Sequence, residues 1–255
     1  MSAVPAVFVS HGAPTLIVED GAAHRFLRDF GAALGRPQAI IVASAHWLTA
    51  APAVCDAAQP RTIHDFAGFP RELYEIRYTA PGAPELAQRI VALLADAGLA
   101  AATDARWGLD HGAWVPLALL YPQADIPVVQ LALQPALGPR HHFELGRALA
   151  PLREEGVLIL GSGGATHNLR ELGAPDTPPP PWARGFSDWL EQTVGVGDDA
   201  ALLDYRARAP QAARNHPSEE HLLPLFVTAG AGGRGRRVHT STTYGSLMMD
   251  FYCFD

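Results

Sequence analysis

Three histidines of this sequence follow short apolar segments, and imidazole is a common metal ligand in proteins. His11 comes directly after residues 6–10, His46 stands at the end of residues 39–47, and His167 lies shortly after the apolar residues 157–161. Short runs rich in β-branched residues are typical of buried parallel strands, and ligands bind beyond the carboxyl ends of such strands. The pattern therefore predicts that the three imidazoles point at one place and form a metal site.

A further ligand is expected from the segment that contains Glu219, Glu220 and His221. Two histidines and one carboxylate make the facial triad of non-haem Fe(II) oxygenases, whereas three histidines and a water are a common zinc arrangement. The spacing alone leaves both sets open.

Two further histidines have an aspartate beside them. Asp110 precedes His111, where it either orients the imidazole or caps the next helix. His64 precedes Asp65 in a loop, where the pair either serves the site or stabilises a turn. The remaining candidates are interpreted as structural: His24, His141, His142 and His239.

The periodicity around these residues predicts alternating strands and helices. Strands are predicted at residues 6–10, 39–45, 126–133 and 157–161, with a strand-like region at 237–252. Helices are predicted at residues 20–34 with Asp20 as the cap, 83–97, 113–121, 140–153, 183–194 and 200–207. A last helix is expected after residue 215, with Glu219 and Glu220 in its first turn and Pro224 kinking it or delaying its start.

This alternation favours an α/β fold, in which a central, mostly parallel sheet is flanked by helices and the metal site lies at the carboxyl ends of the strands. The proline-rich residues 176–181 are predicted to form a long loop, because too few elements follow them to close a second core. One domain over residues 1–255 is expected.

Composition excludes several classes of partner. The net charge is −7 and no block of Lys or Arg occurs, which argues against nucleic acid or an anionic membrane surface. No apolar run is long enough to span a membrane, and Cys55 and Cys253 do not form a disulfide framework. We expect a soluble, cytoplasmic protein, with a homodimer as one natural assembly.

Several short motifs, taken together, resemble one enzyme family. They are Ser10-His11-Gly12, residues 44–47, 62–70, 107–114 and 166–169, Pro217 with residues 220–225, and Gly245-Ser246-Leu247. In this order they resemble the class III extradiol ring-cleaving dioxygenases, in particular the group named for DOPA 4,5-dioxygenase. The resemblance covers nearly the whole chain.

The resemblance implies one divalent metal per chain, Fe(II) for activity, with Zn(II) able to occupy the same ligands. His11, His46 and His221 match the family's metal-binding histidines, and His167 matches a residue treated either as a fourth ligand or as the active-site base. The implied reaction opens the ring of a catechol with O2 to a muconic semialdehyde.

The same resemblance implies further roles. His111 and His167 are expected to carry the proton transfers, and His64 and Tyr244 to contact the substrate. An L-DOPA-like substrate is one candidate, but residues 172–178 lack the His-Pro of the plant enzymes, which weighs against strict DOPA 4,5-regiospecificity.

Two other functions use the same residues. A zinc-dependent hydrolase or amidase would activate water on the same imidazoles. A binding protein that had kept the fold without the oxygenase would be expected to lose site histidines, and here all are present. Oxygen consumption on a catechol separates the dioxygenase from both.

Overall fold

A sheet of eight strands forms the centre of the protein. The computed structural model describes residues 3–175 and 177–255. The sheet contains β1 (Ala6–Ser10), β2 (Ala39–Leu48), β3 (Ala53–Val54), β4 (Ala102–Thr103), β5 (Val128–Leu133), β6 (Val157–Gly163), β7 (Gly235–His239) and β10 (Phe251–Phe254). A separate pair consists of β8 (Thr242–Thr243) and β9 (Leu247–Met248). The strand order of the sheet is β4-β3-β5-β2-β6-β1-β10-β7.

The middle of this sheet is parallel. β2 pairs in parallel with β5 and β6, and β6 pairs in parallel with β1. β1, β5 and β6 are buried along their whole length, as strands covered on both faces must be. Antiparallel pairs join β10 to β1, β7 to β10 and β3 to β5. The predicted α/β fold with a mostly parallel sheet is confirmed.

Helices cover both faces of the sheet. They are α1 (Ala22–Leu34), α2 (Pro84–Asp96), α3 (His111–Leu120), α4 (Gly138–Leu149), α5 (Pro181–Val196), α6 (Asp199–Leu203), α7 (Tyr205–Arg208), α8 (Ala212–Asn215) and α9 (Leu223–Gly232). α1 and α3 pack in one core cluster, whereas α2, α4, α5 and α9 pack in the other. Within the described residues, no helix is both long enough and apolar enough to cross a membrane.

Two predicted roles of acidic residues at helix starts are wrong. Asp20 does not cap α1, because the N-cap is Gly21 and the Asp20 carboxylate pairs with Arg25 at 3.0 Å. Glu219 and Glu220 do not lie in the first turn of α9, which begins only at Leu223. Pro accepts the first turn of a helix because its missing N–H has no partner there, so Pro224 accounts for the late start.

Asp110 was expected either to orient the imidazole of His111 or to cap the next helix, and the structure shows the cap. Its side chain accepts a hydrogen bond from the backbone N–H of Ala113, so it caps α3, which begins two residues earlier than predicted. In the predicted loop 176–181, Asp176 lies outside the described residues. Residues 177–180 have no regular structure, and Pro181 is already the first residue of α5.

Candidate metal centre

His11 stands where β1 ends, and its hydrogen bonds define which ring nitrogen faces the site. Its Nδ1 lies 2.9 Å from Oγ of Ser162 at the end of β6. The Ser162 hydroxyl donates its own proton to the carbonyl of Gly112, so it accepts from Nδ1–H of His11. The Nε2 atom of His11 is left with a free lone pair.

His46 faces His11 from the carboxyl end of β2. The two Nε2 atoms lie 3.0 Å apart. Nδ1 of His46 lies 3.5 Å from Oδ2 of Asp65, and a carboxylate there favours the tautomer with the proton on Nδ1. Two lone pairs therefore face each other at short range, an arrangement that a bound cation stabilises.

His221 reaches the same point from the segment before α9. Its Nδ1 lies 3.1 Å from Oε1 of Glu220, which again leaves Nε2 without a proton. The backbone approaches β6 closely: the N–H of Gly164 donates to the carbonyl of His221 at 2.8 Å. A Cβ atom on Gly163 would stand 2.0 Å from that carbonyl oxygen, so only glycine fits there.

The donor atoms of His11, His46 and His221 all lie within 4.8 Å of one another, as ligands of a single ion do. Burial lowers the pKa of His11 and His221 well below the ordinary value, and that of His46 to about 3, with further lowering from the neighbouring imidazoles. The three rings are neutral near pH 7, which is the form that binds metal. This set of donors fits one divalent transition-metal ion.

Two more imidazoles border the cluster. The ring of His167 stacks on that of His221 with centroids 3.3 Å apart, and burial lowers its pKa. Its donor atom groups with His221 and Glu220 and not with His11 and His46. The ring centroid of His111 lies 3.9 Å from that of His46.

Asp65 lies beside the cluster, whereas the sequence left open whether the His64–Asp65 pair serves the site or stabilises a turn. Its Oδ1 accepts a hydrogen bond from the backbone N–H of His111 at 2.9 Å and lies 3.0 Å from Nδ1 of the same ring, out of line with its N–H. Burial alone would raise the pKa of Asp65, but its contacts with His111 and the nearby His46 lower it. The only sequence signal was its place beside His64.

Asp110 lies fully buried beneath these rings. Ser44 donates to its Oδ1 at 2.6 Å, and Gln130 donates to Oδ2. Burial nevertheless raises its pKa to about 6. Because Ser44 belongs to β2, two residues before His46, this contact fixes the start of α3 against the strand that carries a site histidine.

A cavity of about 430 Å³ opens beside the cluster. All five of these histidines line it: His11, His46, His111, His167 and His221. His64 is not among the described residues that line it. Its Nε2 lies 3.0 Å from the carbonyl of Ile76, and its ring packs near Phe66 and Trp114, so this geometry gives no support to its predicted contact with the substrate.

Tyr244 borders the cavity from the turn between β8 and β9. Its φ of 48° lies in the left-handed region that residues with a side chain seldom adopt. Its hydroxyl donates to Oε1 of Glu19 at 3.2 Å. This contact joins the C-terminal hairpin to the loop before α1, across the edge of the cavity.

The chain is similar to known enzymes over nearly its whole length. Residues 4–252 match the family model described as the catalytic LigB subunit of aromatic ring-opening dioxygenase. A Beta vulgaris protein named 4,5-DOPA dioxygenase extradiol is 44% identical over 97% of this chain and 95% of its own length. An Escherichia coli K12 protein of the same name is 43% identical over 89% of this chain and 85% of its own. A crystal structure of an uncharacterized E. coli K12 protein superposes with a TM-score of 0.85 at 35% identity, covering 99% of this chain and 100% of that one.

Proposed function

The chain belongs to this family of aromatic ring-opening dioxygenases and is an extradiol dioxygenase; from that premise we propose that it opens catechol rings with O2 at one Fe(II) held by His11, His46 and His221. The main support for this proposal is that three neutral imidazoles converge on one point. The Nδ1 atom of each lies 2.9–3.5 Å from an oxygen of Ser162, Asp65 or Glu220. Zn(II) fits the same donors. When bound, the metal supplies positive charge that lowers the pKa of the catechol hydroxyls, and open positions for substrate and O2.

His167 and His111 are proposed to move the protons. The lowered pKa of His167 keeps its ring neutral near pH 7, so that it can accept a proton from a catechol hydroxyl. His111 lies beside His46, and its backbone N–H donates to Oδ1 of Asp65. His111 therefore borders His46, and His167 borders His221.

The contacts of Glu219 support a structural role for this residue. Its Oε1 accepts from the Tyr205 hydroxyl at 2.8 Å and from Arg206 Nε at 2.9 Å. Glu220 contacts Nδ1 of His221 and groups with His167 and His221. We therefore propose His221 as the third ligand, with Glu220 orienting its ring.

The substrates are a small catechol and O2, and the proposed product is a muconic semialdehyde. L-DOPA is the first compound to test, because several of the relatives are named for it. Residues 172–178 lack a His-Pro, so cleavage need not be confined to the 4,5 bond.

The test is anaerobic reconstitution with Fe(II), followed by oxygen uptake and visible absorbance on mixing with a panel of catechols. We expect uptake matched by a yellow semialdehyde. His46→Ala is expected to lose metal and activity, whereas His24→Ala removes an imidazole outside the cavity and is expected to retain both. Iron-loaded enzyme that consumes no oxygen with any catechol would contradict the proposal, and turnover of amides instead would favour the zinc hydrolase.

A further inference from the structure

The imidazole of His167 is held differently from those of the three proposed ligands. Each ligand has an oxygen atom beside Nδ1, whereas no described residue forms a hydrogen bond with a ring nitrogen of His167. Its ring stacks on that of His221 with centroids 3.3 Å apart. The direction of this ring therefore depends on the loop that carries it, residues 164–168, which follows β6.

The end of α8 runs beside this loop. The backbone N–H of His167 donates to the carbonyl of Asn215 at 2.9 Å. Nδ2 of Asn168 donates to the carbonyl of Arg214 at 2.7 Å, so the two segments run antiparallel. The loop is thus held at consecutive residues and not at a single point.

His216 adds a third hydrogen bond to the same loop. Its Nε2 lies 2.9 Å from the carbonyl oxygen of Ala165, and since a carbonyl only accepts, Nε2 carries the proton. The side chain is fully buried and packs near Phe186, with ring centroids 5.4 Å apart. The contact with Ala165 holds the loop two residues before His167.

The other ring nitrogen of His216 makes no such contact. Its Nδ1 atom is buried and has no hydrogen-bond partner among the described residues. Burying a polar atom without a partner is unfavourable, and an apolar ring of similar size would avoid this cost. The bond to the Ala165 carbonyl is the contact that distinguishes imidazole from such a ring. A requirement for that bond therefore accounts for the residue type.

The segment after His216 leads directly to the metal centre. His221 follows five residues later, and its carbonyl accepts from the N–H of Gly164 at 2.8 Å. Arg206 in α7 donates to the carbonyl of His216 at 2.6 Å and so ties the segment to that helix. The proposed base and the proposed third ligand thus lie on two segments that hold each other.

We propose that His216 is a positioning residue for His167, and that its hydrogen bond to the Ala165 carbonyl aims the imidazole at the catechol hydroxyl. The inference rests on the proposed ring-opening function. His216 is not among the described residues that line the cavity, so it acts only through the loop. Its loss is expected to slow the proton transfer and to leave the metal in place.

Two amide substitutions separate the hydrogen bond from the ring. The amide nitrogen of His216→Gln can take the place of Nε2 and reach the Ala165 carbonyl, whereas that of His216→Asn lies nearer to the place of Nδ1. We expect His216→Asn to lower kcat for catechol cleavage about 10- to 100-fold, with KM and metal affinity changed less than about threefold. His216→Gln should recover most of the lost rate. Oxygen uptake measures kcat and KM, and competition with a chelator measures metal affinity.

A spectroscopic readout does not require turnover. 4-Nitrocatechol changes its visible absorbance when a hydroxyl loses its proton, and Zn(II) fits the same three ligands. At pH 7 we expect more of the 4-nitrocatechol bound to Zn(II)-loaded protein to be deprotonated in the wild type and in His216→Gln than in His216→Asn. His167→Phe, which removes the proposed base itself, should give the same spectrum as His216→Asn.

His142→Phe is the control for a loss of stability. His142 is also fully buried and donates to a backbone carbonyl, that of Gly138, but it is not among the described residues that line the cavity. This variant is expected to unfold at a lower urea concentration and to keep the kcat and the spectrum of the wild type.

Equal kcat values and equal spectra in His216→Asn and His216→Gln overturn the inference, as does a loss of metal in His216→Asn that parallels its loss of rate. If His216→Asn does not fold, His216→Phe replaces it with the same expected result. Absence of oxygen uptake by the wild type with every catechol is the failure of the proposed function, and the spectra of the variants then still decide the inference.

Discussion

At the scale of single residues, oxygen atoms beside the ring nitrogens orient the three proposed metal ligands. Each of the three proposed ligands has Nδ1 beside an oxygen: Ser162 for His11, Asp65 for His46 and Glu220 for His221. A ring held in this way keeps its Nε2 lone pair in one direction before any metal arrives. Such partners contribute measurably to metal affinity.

Asp65→Asn is predicted to lower metal affinity and kcat/KM by about 10- to 100-fold, because the amide no longer favours the Nδ1–H form of His46. Competition with a chelator measures the affinity, and oxygen uptake measures kcat/KM. Asp96→Asn, an exposed position at the end of α2, is the control and should match the wild type. An unchanged metal affinity in Asp65→Asn would show that the carboxylate does not position His46.

Part of this arrangement is predictable from the sequence. His11, His46 and His167 each follow a buried strand, and parallel strands place their carboxyl ends at one edge. The sequence does not show whether Asp65 or His64 faces the site, because a loop lacks the regular alternation of inward and outward side chains found in helices and strands. The structure turns Asp65 toward the cluster and His64 toward the carbonyl of Ile76.

At the scale of elements, the position of α9 depends on glycines in β6. A Cβ on Gly161 would stand 2.4 Å from the carbonyl oxygen of Pro224, and one on Gly163 would stand 2.0 Å from that of His221. Because these two positions of β6 have no side chain, the start of α9 and His221 pack directly against the backbone of the strand. This contact could not be predicted, since it joins residues far apart in the sequence.

Gly163→Ala is predicted to destabilise the protein by about 1–3 kcal/mol and to weaken metal binding, since the added methyl displaces the backbone of His221. Urea unfolding and metal titration measure the two effects. Gly195→Ala is the matched control: a Cβ there meets nothing within 4 Å, and the residue lies inside α5. The control should be neutral or more stable by up to about 1 kcal/mol. Wild-type metal affinity in Gly163→Ala would contradict the expected displacement.

At the scale of the whole molecule, buried histidines make the free energy of unfolding depend on pH. His142 in α4 is fully buried; its Nε2 accepts from the N–H of Gln134 at 3.0 Å, and its Nδ1 donates to the carbonyl of Gly138 at 2.7 Å. Burial lowers its pKa to about 4, although the bond to Gly138 opposes the shift. Protonation at Nε2 would break the bond to Gln134.

The unfolded chain therefore binds this proton more tightly than the folded one. His142 contributes up to about 3 kcal/mol to the free energy of unfolding. This contribution is fully present above pH about 6.5 and is lost as the pH falls toward 4. Urea unfolding of metal-free protein at pH 7 and pH 5 should show a smaller difference for His142→Gln than for the wild type. Equal differences would contradict the assignment.

The fold class was predictable because β2, β5 and β6 are apolar runs with helical segments between them. The edges of the sheet were not: β3 and β4 have only two residues each, and the C-terminal region divides into β7 to β10 where the sequence showed one strand-like stretch. Such short strands are determined by the partners they meet, and no local pattern specifies them.

The placement of β1 has a consequence for how the molecule is made. β1 lies between β6 and β10, and the Ser10 hydroxyl donates to the carbonyl of Asp250 at 2.9 Å, across 240 positions of the chain. A polypeptide growing from its amino end would synthesise β1 first, but both neighbours of that strand come much later. β1 is therefore paired on both sides only after β10 has emerged, and the proposed ligand set of His11, His46 and His221 is complete only once residue 221 has been synthesised.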